Sequence, residues 1–155
     1  MSIPVALQLY TVRTETAKDF IGTLEKVAEI GYKGVEFAGY GDIPASQMKV
    51  ALDRLGLKAV GSHVGFPLLK EKLDEMIEYN LEIGSKYVIC PRAPLTNLDE
   101  VKENAKLLNG MAEKCKAKGL NFGYHNHSQE FAVIDGEYIM DIFYRLTDAN
   151  LVKAE

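Results

Sequence analysis

Apolar positions along this chain fall into two spacings that take turns. Phe20, Leu24, Val27 and Ala28 repeat with the helical period, as do Leu69, Leu73, Met76, Ile77 and Leu81. Between such stretches lie short apolar runs bounded by Gly and polar residues, which read as strands. The pattern predicts strands over Val5–Tyr10, Gly34–Ala38, Lys58–Ser62, Tyr87–Cys90 and Asn121–His125. It predicts helices over Ala17–Ile30, Pro44–Leu55 and Leu68–Ile83, a fourth from an Asn97 cap to Lys118, and a fifth over Glu137–Leu146. A hairpin is expected around Asp135-Gly136, and Ala149–Glu155 repeats the entry into a sixth strand.

One phrase marks the junctions: amphipathic helix, Gly, one or two residues, strand. It occurs at Gly31, Gly56, Gly84 and Gly119, which are 25, 28 and 35 residues apart. Gly just past a helix takes the left-handed conformation that ends it, and the strand follows at once. Strands alternating with helices through tight turns imply a parallel sheet with right-handed crossovers. Two architectures fit: a partial (β/α)8 TIM barrel, or a flavodoxin-like doubly wound sheet. Five units in 155 residues extrapolate to roughly 250 for eight, the usual barrel size. The chain stops as a sixth strand begins, so the expectation is one domain, 1–155, holding the first five β/α units of a truncated barrel plus the start of strand 6.

Composition removes several function classes. With 47% hydrophobic and 26% charged residues the chain is ordinary globular protein. Net charge is −4, with Lys and Glu interleaved and no basic block, which argues against a nucleic-acid surface. The start Met-Ser-Ile-Pro-Val-Ala lacks a basic segment before its short apolar run, so no signal peptide is expected. No apolar stretch approaches the roughly 20 residues that span a bilayer. Cys90 and Cys115 follow neither metal nor disulfide spacing. A cytoplasmic protein without a membrane partner is expected.

In either architecture ligands bind at the carboxyl ends of the strands, and the unusual polar residues lie there. Strand 1 ends in Gln8 and Tyr10, strand 2 carries Glu36, strand 3 ends in His63, and Arg92 follows strand 4. Strand 5 ends in His125-Asn126-His127, with Glu130 just beyond; all three histidines of the chain sit on this edge. Glu36 interrupts an apolar strand, where an unpaired carboxylate is costly, so it calls for a metal, a cation or a substrate hydroxyl. Gln8 and Tyr10 share a face and either fill the interior or meet a ligand. Arg92 either holds a phosphate or carboxylate or lies on the rim. His125 and His127 alternate on a strand and can face one site, where imidazole suits metal ligation or proton transfer near neutral pH; they can equally be loop histidines bonded to backbone carbonyls. Cys90 reads as a small buried residue. GxGxxG, GxxxxGK[ST] and GxSxG motifs are all missing.

Four segments in order resemble the sugar phosphate isomerase/epimerase family, part of the xylose isomerase-like TIM barrel superfamily. They are Gln8-Leu-Tyr-Thr-Val-Arg13, Gly31-Tyr-Lys-Gly-Val-Glu-Phe37, Gly56-Leu-Lys-Ala-Val-Gly-Ser-His63 and Gly123-Tyr-His-Asn-His-Ser-Gln-Glu-Phe131. The resemblance runs the length of the chain. It implies a divalent metal (Mn, Zn or Co) holding neighbouring oxygens of a sugar or sugar phosphate, while acidic residues move a proton at the carbon beside the carbonyl. By the same resemblance Glu36, His63 and His125 are expected to be catalytic. Gln8, Tyr10, Arg92, Asn126 and His127 are expected to meet substrate, and His125 or Glu130 to bind metal where many relatives have a Glu. Further ligands of the family lie on later strands, so this chain alone is expected to have an incomplete metal site and little activity. Open edges at strands 1 and 5 suggest a homo-oligomer. The same proton abstraction would serve a keto-sugar or keto-inositol dehydratase or lyase. Outside enzymes, a flavodoxin-like binding or regulatory module is the alternative.

Overall fold

The computed structural model describes residues 3–155. The reading of the chain start therefore rests partly on Met1 and Ser2, which lie outside the described residues. Six strands form one parallel sheet: β1 (Ala6–Gln8), β2 (Gly34–Ala38), β3 (Lys58–His63), β4 (Tyr87–Cys90), β5 (Asn121–Tyr124) and β8 (Val152–Ala154). Their order in the sheet is their order in the chain. β6 (Val133–Ile134) and β7 (Glu137–Tyr138) make a separate hairpin. Asp135 and Gly136 both take positive φ in its two-residue turn, the geometry that matches strand twist.

The helices are α1 (Arg13–Thr16), α2 (Phe20–Ile30), α3 (Ala45–Leu55), α4 (Phe66–Ile83), α5 (Leu98–Ala117) and α6 (Ile139–Leu146). Gly31, Gly56 and Gly84 cap α2, α3 and α4 in the left-handed conformation, and Gly119 has φ 83° just after α5. α2 starts three residues later than the sequence suggests. The Asp19 carboxylate accepts from the Gly22 N–H at 2.9 Å and fixes the first turn there. The expected strand to Tyr10 ends at Gln8, where the chain turns into a 3-10 segment over Leu9–Val12. On α4, Leu69, Leu73 and Ile77 are buried but Leu81 is 38% exposed. Asn80 takes the inward place, donating to Tyr40 Oη at 2.9 Å and to the Met76 carbonyl at 2.8 Å.

Two apolar clusters line the helix side of the sheet. One packs Val35 and Phe37 with Leu24, Val27, Met48 and Leu52; the other packs Val88, Cys90, Phe122, Tyr124 and Val152 with residues of α4, α5 and α6. Strand alternation sends Glu36, Ile89, Gly123 and Lys153 to the opposite face. Val60 (39% exposed) and Tyr87 (44%) show that the helices leave this face open. A sequential strand order with helices on one face excludes the flavodoxin-like alternative, whose order reverses at a switch point and whose sheet is covered on both faces. The sheet also curls enough for side chains of distant strands to meet. β3 and β8 are three strands apart, about 14 Å in a flat sheet, yet His63 Nε2 lies 3.2 Å from Glu155 Oε1. Because β8 pairs with β5, the sheet's edges are β1 and β8, where the sequence suggested strands 1 and 5. Among the described residues no helix is long and apolar enough to cross a membrane.

Candidate functional site

The carboxyl ends of β1, β2, β3, β5 and β8 bring Gln8, Glu36, His63, His125 and Glu155 together on the concave face. Gln8 uses both ends of its amide: Oε1 accepts from the Tyr10 N–H at 2.9 Å, and Nε2 donates to Glu36 Oε2 at 2.7 Å. The 3-10 turn after β1 therefore holds the Gln8 side chain, which in turn aims the Glu36 carboxylate. Glu36 also needs room on the neighbouring strand. The β2–β3 register shifts between Val35 and Glu36, which places Gly61 opposite Glu36. A Cβ on Gly61 would sit 2.8 Å from Glu36 Oε1 and 3.1 Å from Ile89 Cδ1, so a side chain there would have to push the ends of both side chains aside.

His63 Nε2 stands between two carboxylates, 3.6 Å from Glu36 Oε2 and 3.2 Å from Glu155 Oε1. His125 Nδ1 faces the same Glu155 oxygen at 3.5 Å and, though buried, has no hydrogen-bond partner. The His63 and His125 rings lie 4.9 Å apart, and His127 meets His125 edge-on at 4.8 Å. Burial pushes the Glu36 carboxyl above its ordinary 4.5 and the Glu155 charge adds to this, while His63, Gln8 and His125 pull the other way.

Other residues singled out from sequence sit elsewhere. Glu130, expected as a possible ligand beside His125, is folded back by the 3-10 turn Ser128–Phe131 and buried. Its carboxylate accepts from Tyr124 Oη at 2.7 Å, the His127 N–H at 2.8 Å and Gln129 Nε2 at 3.0 Å. Burial would raise its pKa, but these hydrogen bonds together hold it below the ordinary value. Arg92 is exposed and lines a 750 Å³ cavity with Phe66, Leu95 and Gln129, apart from the histidines. Tyr10 is 60% exposed, with the Arg13 guanidinium 4.3 Å over its ring. Asn126 lies next to Glu155 through its backbone N–H, which donates to the Glu155 carbonyl at 3.4 Å. Cys90 is fully buried, and burial pushes its thiol up to about 12.

Sequence reasoning missed Glu155 and Gly61. Glu155 carried a readable signal: it follows β8 as His125 follows β5, at the strand end where ligands bind. Gly61 carried none, because its closeness to Glu36 arises only from the β2–β3 bulge.

His63, His125 and Glu155 each offer one ligand atom, all within 4.8 Å of one another. The free, buried His125 Nδ1 and the two-imidazole, one-carboxylate donor set suit a divalent metal of the Zn, Mn or Co kind. Three protein ligands with a further position open is the pattern of catalytic zinc sites.

No protein-family model and no curated protein matches the chain. Solved structures do, and these neighbours are xylose isomerase-like TIM barrel proteins of the sugar phosphate isomerase/epimerase kind. A sugar phosphate isomerase/epimerase from Parabacteroides distasonis is 27% identical with a TM-score of 0.80, the match covering 98% of this chain and 64% of that protein. An AP endonuclease, family 2, from Brucella melitensis is 16% identical with a TM-score of 0.75, over 99% and 68%. The IOLI protein, whose structure holds a zinc atom, is 13% identical with a TM-score of 0.63, over 79% and 51%. The last two show the shared fold. The chain thus spans 64% of the length of the Parabacteroides protein.

Proposed function

We propose that this chain provides the substrate-facing part of a sugar or sugar phosphate isomerase or epimerase, which moves a proton at the carbon next to a carbonyl. The observation that carries the reading is the meeting of Glu36, His63, His125 and Glu155 at the carboxyl edge of one curled parallel sheet. The likeness to the Parabacteroides isomerase/epimerase supports it.

In this reading Glu36 takes and returns the proton. Gln8 fixes Oε2 and leaves Oε1 facing the gap above Gly61. A carboxyl raised toward neutrality is the better general base at working pH. His63 presents Nε2 to both Glu36 and Glu155 and ties the base to the metal-binding side of the cluster. A divalent metal held by His63, His125 and Glu155 would polarise the substrate carbonyl.

The test loads the protein with Mn, Zn or Co. Proton NMR in heavy water follows exchange at the carbon beside the carbonyl in a panel of ketoses and their phosphates. Exchange that a chelator stops, and that Glu36→Gln slows by about 100-fold or more, is the expected result. A loaded protein that exchanges no member of the panel, or exchanges equally well with Gln at position 36, would refute the assignment.

A further inference from the structure

A second cavity, of 620 Å³, opens beside the acid–histidine cluster and shares His63 with it. Its volume lies in the range of small-molecule sites. Its lip is the loop joining β2 to α3, where Gly39, Gly41 and Asp42 all take positive φ (89°, 61° and 56°). A non-glycine residue in that region is uncommon and marks a backbone held by its surroundings. Here the hold is Phe20: a Cβ on Gly41 would lie 2.6 Å from its ring. The lip is therefore braced by the α2 layer behind it.

The cavity wall is aromatic. Tyr40 and Tyr79 stack with ring centroids 3.9 Å apart. Each hydroxyl has one partner within the fold, Tyr79 Oη donating to the Ile43 carbonyl at 2.8 Å and Tyr40 Oη accepting from Asn80 at 2.9 Å. What these residues offer a ligand is ring surface, continued by Leu68 and Met76, with Tyr10 at the rim. Among the described residues no Lys or Arg lines this cavity, and Asp42 brings a carboxylate to its mouth. Arg13 lies outside this lining, 4.3 Å over the Tyr10 ring at the rim; within the lining a phosphate would face the Asp42 carboxylate with no Lys or Arg to pair with. A sugar ring or a benzene ring would instead lay an apolar face on tyrosine.

We infer that this cavity is a subsite for an uncharged ring carried by the substrate, and that it rejects phosphate. The substrate is then a sugar joined to a second ring, either another sugar or an aryl group, with the reacting carbon at His63 and the ring against the tyrosines. This rests on the proton-transfer reading of the cluster, because that reading places the reacting sugar beside the shared His63.

Of the eight Tyr in the chain, Tyr10, Tyr40 and Tyr79 line this cavity, so binding is read by isothermal titration calorimetry. Three probes are titrated: phenyl β-D-glucoside, cellobiose and glucose 6-phosphate. At least one ring-bearing probe should bind about fivefold or more tighter than glucose 6-phosphate, and Tyr10→Ala should weaken that probe by about fivefold. Leu68→Lys, on a half-exposed helix position, should shift the preference toward glucose 6-phosphate. Preference for the phenyl compound identifies an aryl group, and preference for cellobiose a second sugar; either supports the subsite. Equal or tighter binding of glucose 6-phosphate to the unmodified chain overturns it. So does a ring-probe affinity that Tyr10→Ala leaves unchanged, or no binding by either ring-bearing probe. Ring binding without proton exchange on any sugar would support the subsite and refute the proton-transfer reading. Exchange without ring preference would refute the subsite alone.

Discussion

Glu36 and Glu130 are both withdrawn from water, Glu130 to 1% exposure and the Glu36 side chain to 20%, and the protein treats them in opposite ways. Glu130 is surrounded by donors. Tyr124, the His127 backbone and Gln129 meet its oxygens, and its pKa falls despite burial. Glu36 has one close donor, Gln8, a histidine at 3.6 Å and a second carboxylate nearby, and its pKa rises. A saturated carboxylate is a fixture that ties the loop after β5 to the strand. An undersupplied one retains the capacity to accept a proton or meet a ligand. Depth of burial alone would have ranked the two the other way round as functional residues.

The largest test of this contrast is Glu130→Ala. Removing the carboxylate leaves Tyr124 Oη and the His127 N–H without their acceptor, and a loss of about 3 kcal/mol in urea unfolding is expected. If the variant unfolds within about 0.5 kcal/mol of the parent, Glu130 is not the fixture described here. Gly61→Ala comes next. The new methyl group meets the flexible ends of Glu36 and Ile89, which can shift, so a loss of about 1 kcal/mol is expected. Adding Glu36→Ala to it should recover part of the loss, since the carboxylate is the closer obstacle; a double variant that is merely additive would break the proposed coupling.

The smallest effect is also the most direct contrast, and it lies in pH. Glu36 is raised in the folded state, so its contribution to stability is complete below pH 4.5 and is lost as pH climbs through the folded value. Glu36→Gln should therefore gain stability relative to the parent as pH rises above 4.5. Glu130 is lowered, so its contribution is present above pH 4.5 and disappears as pH falls through the folded value. The deficit of Glu130→Gln should accordingly shrink on acidification. Guanidinium melts of the three proteins from pH 3 to 7 give the two slopes, and slopes of the same sign would remove the contrast.

The scaffold was legible because its signals are local. A glycine ending a helix and an apolar run starting a strand need only a few neighbours, and Gly31, Gly56, Gly84 and Gly119 all take the left-handed conformation that the repeat implies. Glu36 and the histidines stood out for a similar reason, as polar residues where strands should be apolar or should end. The place of Glu130 could not be read, because a five-residue separation from His125 says nothing of direction, and a single 3-10 turn brings its carboxylate to Tyr124 Oη. Glu155 was overlooked because its partners lie far away in sequence and are reached only through the curl of the sheet. Asn80 replaced Leu81 on the inner stripe of α4 because Tyr40, on another element, supplies a hydrogen-bond partner.

The contact between His63 and Glu155 spans 92 positions of sequence. Contacts of such separation form late when a chain folds, since each long loop must close before the contact can stabilise anything. β1 to β5 can pair and take up their helices while the cluster still lacks one of its carboxylates. Docking of β8 would then bring Glu155 to His63, and histidine NMR shifts followed during refolding are expected to report that contact among the last to form.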